Sequence, residues 1–317
     1  MKYRVAITDN AFSKEMSCFQ NKLNEYDIAC DLFEPYIDDP QRFREYDALA
    51  VQQFILDAPA VEKFRNGKCR LAVKFGVGYE NLDLSALTDA GIYAANVPDY
   101  GPGTVSRHTL YCFLALAQHG AEYQQRMVQG RDLELGGSAS AQANWTNKSR
   151  IPAIPLDRKT LGIIGYGRIG RKTAHHARPF FRNILACDPY IEHNEFDDFV
   201  QPTNLVSLLS TSDFITVHIP LFKTPQDVYS GYPEYTPKGI TYDPTYHIID
   251  KKALDTVKPG TFLVNTSRGG VVNEKDVMTA LSTGRLAGVA LDVFEREPLA
   301  GNDPIRSFAY ADLPGNH

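Results

Sequence analysis

Residues 161–170 read Leu-Gly-Ile-Ile-Gly-Tyr-Gly-Arg-Ile-Gly, and Asp188 follows 18 positions after Gly170. The apolar run from Thr160 to Ile164 has the make-up of a buried strand. Gly165, Gly167 and Gly170 then match G-x-G-x-x-G at a strand-to-helix turn. Each glycine has a separate reason: a tight turn, a close backbone approach to a pyrophosphate, and close helix–strand packing. The helix that follows offers free N–H groups and a partial positive charge at its N-terminus.

A glycine fingerprint by itself is weak evidence, equally compatible with an ordinary Gly-rich turn. Its surroundings strengthen it. Arg171 to Phe180 predicts a helix with Ala174 and Ala177 as small packing residues, and Ile184 to Cys187 predicts a second strand that ends in Asp188. A carboxylate there accepts hydrogen bonds from both ribose hydroxyls of NAD and repels a 2′-phosphate. NAD is therefore the expected cofactor, with NADP as the alternative if a neighbouring Arg softens that choice.

Outward from this unit, strands and helices alternate. Strands are predicted at Arg4–Thr8, Ala29–Phe33, Ala48–Gln52 and Leu71–Phe75, and helices at Lys14–Tyr26 and Ala60–Arg65. That alternation implies a parallel sheet covered by helices. Ala94 to Gly103 is rich in Pro and Gly and reads as a hinge. A long helix is expected at Val105–Gln118. Further on, Thr203 is placed as the cap of a helix at Asn204–Ser210, Asp250 caps Lys251–Val257, and Asn273 with Asp276 resembles a capping box. Strands are expected at Phe214–His218, Thr261–Asn265 and Leu286–Phe294. The fold class is α/β, with two Rossmann-like or flavodoxin-like domains, parallel sheets and a cleft between them. The expected division is 1–98 for substrate binding and 99–300 for the nucleotide, with 129–155 a candidate dimerisation arm and 301–317 a C-terminal segment.

Composition excludes several classes. The chain of 317 residues has a net charge of −5, which points to neither a nucleic-acid nor a membrane-surface partner. Its start enters a strand directly, without a secretory apolar region, and no apolar run is long enough to span a bilayer, so a cytoplasmic location is expected. The five cysteines are scattered and never form C-x-x-C, which suits reduced thiols. His175 and His176 are adjacent on a helix and point apart, so no metal site is predicted.

In open α/β sheets ligands bind beyond the C-terminal ends of the strands. Gly76-Val77-Gly78, His218, Asn265-Thr266-Ser267-Arg268, Asp292 and Glu297 all fall at or after such ends. A guanidinium binds a carboxylate bidentately, and a carboxylate holds and charge-tunes an imidazole. Taken singly, Arg268 reads better as a structural ion pair and Glu297 better as a solvated loop carboxylate. Their joint placement beside a dinucleotide motif favours the functional reading.

These motifs resemble the D-specific 2-hydroxyacid dehydrogenases from about Val5 to Leu299. Phe75 to Asp83 is similar to that family's substrate loop, Gly91 to Pro98 to its hinge, and His218-Ile219-Pro220-Leu221 to its H-x-P-L. Asn265 to Gly270 is similar to the stretch with the catalytic Arg, and Leu291 to Pro298 to that with the catalytic Glu. The resemblance implies that Arg268 clamps the substrate carboxylate and polarises the 2-keto oxygen. Glu297 would raise the pKa of a catalytic His, and hydride would pass between nicotinamide C4 and substrate C2. The N–H groups of Val77 and Gly78 would bind the carboxylate. Arg168 and Ile169 would contact the diphosphate and Asp188 the ribose. His218, Pro220, Thr266, Ser267 and Asp292 would lie along the cofactor. A homodimer is implied as well. The reading from another class is an NAD(H)-sensing protein like the C-terminal-binding-protein corepressors, which share these residues.

The sequence departs from the family pattern in three places. No T-P-H stretch follows Glu297, so the acid–base His is expected beyond residue 317, with His317 the other candidate. The turn after Leu221 is enlarged through residues 222–244, which reads as a tolerated surface excursion or as a lid. Arg107 stands where many relatives carry an acid and, with Lys74, would suit a dicarboxylate or a phosphorylated acid, while surface pairing accounts for either residue equally well.

Overall fold

Eleven strands in the described residues form two sheets, and every pairing in both is parallel. The computed structural model describes residues 3–8, 16–33, 39–121, 124, 128, 153–223 and 244–308. They divide into two compact units, one up to Gly101 and one from Pro102 onward. The candidate arm at 129–155 (apart from its last three residues), the enlarged turn beyond Lys223 up to residue 243, and the C-terminal segment from 309, His317 included, lie outside the described residues.

The first unit contains β1 (Tyr3–Ile7), α1 (Met16–Asn24), β2 (Ile28–Leu32), β3 (Ala48–Val51), α2 (Ala58–Phe64), β4 (Leu71–Lys74), α3 (Leu84–Asp89) and β5 (Tyr93–Asn96). Its sheet has the order β2-β1-β3-β4-β5, the flavodoxin-like order. Asp57 and Asp83 cap α2 and α3 by accepting the N–H groups of Ala60 and Ala86, at 2.9 Å each. Phe43 is the centre of the core, edge-on to Phe33, Phe54 and Phe64. The expected hinge begins later than its sequence suggests. Tyr93–Asn96 pairs with β4 in register from Leu71–Tyr93 to Lys74–Asn96. Edge pairing through the backbone needs no apolar alternation, which this Tyr-Ala-Ala-Asn strand lacks.

The second unit contains α4 (Pro102–Ala117), β6 (Thr160–Ile164), α5 (Arg168–Ala177), β7 (Asn183–Cys187), β8 (Val200–Pro202), α6 (Leu205–Thr211) and β9 (Phe214–Val217). It continues with α7 (Lys251–Thr256), β10 (Thr261–Asn265), α8 (Glu274–Ser282) and β11 (Leu286–Leu291). The strand order β11-β10-β9-β6-β7-β8 is the order 6-5-4-1-2-3 within the unit, that of a dinucleotide-binding sheet. Its inner strands are apolar almost throughout, as a sheet covered on both faces requires: β9 and β10 are buried at every residue. The order reverses between β6 and β9, so the crevice for a ligand opens where Gly165 and His218 follow those two strands.

Local chemistry corrects three expectations. The helix after the glycines begins at Arg168, not Arg171. The cap of α6 is Asn204, whose side chain accepts the Ser207 N–H at 2.8 Å, and not Thr203. Asn273 caps α8 through the Asp276 N–H at 3.1 Å, but Asp276 does not return the bond. Its carboxylate accepts the Lys251 N–H at 2.9 Å and so ties α7 to α8. Substituting Asn204→Ala is expected to cost about 1 kcal/mol of stability in chemical denaturation. Thr203→Ala should stay within about 0.5 kcal/mol of the wild type. The reverse ranking would restore Thr203 as the cap.

Candidate active site

Gly165 has φ +89°, and a Cβ there would stand 2.5 Å from the His218 carbonyl oxygen and 2.6 Å from Ile219 Cγ2. Both the backbone conformation and the space admit only glycine. At Gly170 a Cβ would run into the Gly165 carbonyl. Gly167 differs: a Cβ there would meet nothing within 4 Å. The chain therefore needs no glycine at 167 for its own packing. That vacancy lies at the start of α5, whose N-cap is Gly167 itself, without a side-chain cap and without an acid in the first turn. Its leading N–H groups are left for an anion. Gly167, Arg168 and Ile169 are accessible while Gly170 is buried, as a diphosphate seat requires.

Asp188 ends the next strand and shapes the same loop. Its Oδ2 accepts the Tyr166 N–H at 2.8 Å and its Oδ1 the Tyr190 N–H at 3.1 Å. One carboxylate thus fixes the middle of the glycine loop and stays partly exposed. Tyr166 is fully buried, stacked on Phe196, and donates from its hydroxyl to Asp197 at 2.5 Å. Asp197 also takes Arg171 at 3.1 Å and His175 at 3.3 Å. Burial opposes the Asp197 charge, but these partners together hold its carboxyl below the usual range. Sequence reading missed this anchor because Tyr166 and Asp197 are 31 residues apart, with no local pattern between them.

Across the switch point, His218 follows β9. Thr216 Oγ1 and His218 Nε2 are 3.2 Å apart, and the buried Nδ1 has no partner among the described residues. Burial pushes the imidazole pKa down to about 3, so the ring is neutral at any physiological pH. Pro220 is exposed at the edge, and its carbonyl accepts the Thr245 hydroxyl at 2.6 Å.

Beyond β10, Asn265 winds the chain into a turn. Its Oδ1 accepts both the N–H (3.1 Å) and the hydroxyl (2.8 Å) of Ser267, and its Nδ2 donates to the Arg268 carbonyl at 2.9 Å. Thr266 and Ser267 are buried, and Thr266 Oγ1 meets Thr109 Oγ1 of α4 at 3.0 Å. Arg268 is half-buried and donates from Nη1 to the Ser267 carbonyl at 2.8 Å. A Cβ at Gly269 would overlap the Phe294 carbonyl, so this turn and the one after β11 are pressed together. In that second turn Asp292 lies 3.4 Å from His108 Nε2. Neither Thr109 nor His108 was legible as a site neighbour, since α4 reads as a core helix and its contacts are far away in sequence.

Glu297 is exposed, and its Oε1 accepts the Phe294 N–H at 2.9 Å. Another imidazole paired with a carboxylate is His247, whose Nε2 is 3.0 Å from Glu295 Oε2. Glu295 Oε1 in turn accepts the Glu274 N–H at 2.9 Å. In the first unit, the Val77 carbonyl accepts the Asn96 amide at 2.8 Å and the Gly76 carbonyl the Val97 N–H at 3.1 Å. These bonds shape the loop through Val77 and Gly78. Lys74, expected to help with a second substrate charge, donates to the Gln52 carbonyl. Among the described residues no cluster of side chains suits a metal ion, and no helix is long and apolar enough to cross a membrane.

A dinucleotide-type sheet order, a glycine loop opening the helix α5, a carboxylate at the end of β7 and an arginine past β10 define a dinucleotide-binding class of fold and site. The family model for the D-isomer specific 2-hydroxyacid dehydrogenase NAD-binding domain matches residues 113–230 and 241–311, and this chain belongs to that family. It is 29% identical over 304 residues to the D-3-phosphoglycerate dehydrogenase of Methanocaldococcus jannaschii, covering 94% of this chain and 50% of that protein. It is 31% identical over 268 residues to the glyoxylate reductase of Korarchaeum cryptofilum, covering 84% of this chain and 71% of that one. The chain thus spans about half the length of the D-3-phosphoglycerate dehydrogenases it matches. The fold is shared with the D-lactate dehydrogenase of Aquifex aeolicus solved with NAD and lactic acid, at a TM-score of 0.74 and 23% identity, covering 98% of this chain and 85% of that one.

Proposed function

We propose that this chain is an NAD-dependent D-2-hydroxyacid dehydrogenase that interconverts a small 2-keto acid and its D-2-hydroxy acid. The observation that carries the reading is the grouping, in one unit, of an open diphosphate seat at Gly167 with Arg268 just past β10. NAD, when bound, supplies or accepts the hydride. The residues of the chain do the rest. Gly165, Gly167, Arg168, Ile169 and Gly170 receive the diphosphate, and Asp188 binds the ribose. Thr266, Ser267, Asp292, Pro220 and a neutral His218 line the cofactor's course. Arg268 holds the substrate carboxylate and polarises the keto oxygen; the N–H groups of Val77 and Gly78 bind carboxylate oxygen. Glu297 charge-tunes the acid–base imidazole. Domains bounded near residue 98, a cytoplasmic homodimer, and a dicarboxylate or phosphorylated substrate belong to the same proposal.

NADH oxidation should be followed against pyruvate, hydroxypyruvate, glyoxylate, oxaloacetate and 2-ketoglutarate. The panel is run on this chain and on one with any native C-terminal extension. Turnover of at least one acid is expected. Tight NADH binding with no turnover by either chain would replace the dehydrogenase with an NAD(H)-responsive binding protein.

A further inference from the structure

Helix α4 packs along α5, and the crossing carries an excess of positive charge. Arg107 stands on α4 and Lys172 on α5. A Cβ on Gly103 would be 3.5 Å from Arg107 Nη1 and 3.8 Å from Lys172 Nζ. The two cations thus flank one point, and that point is left open by a glycine. Neither is paired with a carboxylate among the described residues. The acids touching these helices are committed elsewhere: Asp292 to His108, and Asp197 to Tyr166, Arg171 and His175. Behind the pair lies His176, whose Nδ1 is buried without a partner among the described residues. Burial first, then the charges of Arg107, Lys172 and His175, hold its pKa below the ordinary histidine value.

Two like charges flanking one gap repel each other, weakly where both face solvent, and an anion between them turns that repulsion into attraction. Guanidinium and ammonium groups only donate hydrogen bonds, so the missing partner is purely an acceptor. A single carboxylate would neutralise one of the two charges, whereas a dianion neutralises both. We propose that the crossing of α4 with α5 is an oxyanion site, in which Arg107 and Lys172 hold a compact dianion of the phosphate class over Gly103. The site goes beyond the redox reading and needs neither NAD nor turnover. Its occupancy clips two elements together: α5, which begins at the glycine loop, and α4, whose His108 and Thr109 touch Asp292 and Thr266.

Thermal unfolding should be measured against inorganic phosphate at constant ionic strength, in the absence of nucleotide, for the wild type, Arg107→Gln and Lys172→Gln. Both side chains are exposed, so the variants fold. The wild-type Tm is expected to rise with phosphate and saturate. The apparent Kd for phosphate should weaken at least about tenfold in each variant, as the loss of one charged hydrogen bond implies. In phosphate-free buffer neither variant should melt below the wild type, because a repulsion has been relieved. An equal phosphate response in all three proteins would overturn the proposal and place the anion on the glycine loop. Absence of any response in the wild type would overturn it as well.

Discussion

Gly167→Ala is expected to fold like the wild type and to lose most of its NADH affinity. The two effects separate because of where the new methyl group goes. Gly167 has φ −73° and ψ −159°, a conformation that alanine adopts without strain. Its Cβ would meet nothing within 4 Å, so stability should stay within about 0.5 kcal/mol of the wild type. The methyl instead fills the approach to the uncapped N–H groups at the start of α5. Loss of one charge-assisted hydrogen bond from those groups to a phosphate corresponds to a Kd raised about 10- to 100-fold. Gly165→Ala is the opposite case. Its Cβ would stand 2.5 Å from the His218 carbonyl at φ +89°. Strain and overpacking together should cost about 2–5 kcal/mol, read as a fall in Tm of about 5–15 °C. NADH titration by fluorescence and thermal melts on the same samples check both. Unchanged NADH affinity in Gly167→Ala would remove the glycine loop from the diphosphate site.

The glycines of this loop show what sequence could and could not reveal. Gly165, Gly167 and Gly170 are legible because their constraints are local: one turn, one helix start, one close packing contact. The strands of the nucleotide unit are legible for a similar reason, since β6, β9 and β10 are buried on both faces and read as continuous apolar runs. Tyr93–Asn96 resembles hinge in sequence because an exposed edge strand carries no such signature. The positioning contacts were silent for another reason. Tyr166 with Asp197, Thr109 with Thr266, and His108 with Asp292 are brought together by sheet order and by the packing of α4, not by spacing along the chain. A sequence states which residues can do chemistry at strand ends. It does not state which buried partners hold them there.

Arg268→Ala is expected to lower kcat/KM for the best 2-keto acid by about 10²- to 10⁴-fold, the scale for removing a charged partner from a carboxylate. Arg268→Lys should recover only part of the loss. Lysine restores the charge but not the planar fork that meets a carboxylate with two parallel bonds. The backbone around Arg268 supports this. Asn265 holds the turn by three side-chain bonds, the Ser267 carbonyl takes one Nη1–H, and Gly269 lies pressed against the Phe294 carbonyl. The guanidinium is therefore rooted on a turn that costs little to organise when substrate arrives. None of these bonds uses the Arg268 side chain to hold the glycine loop, so NADH affinity should be unchanged in both variants. A second readout is independent of the proton donor: quenching of bound NADH fluorescence by oxamate, a non-reacting mimic of a 2-keto acid. The oxamate Kd should rise at least about 30-fold in Arg268→Ala, as the loss of about 2 kcal/mol implies. Oxamate binding and turnover within threefold of the wild type would remove Arg268 from the substrate site and leave it as a structural residue of the β10 turn.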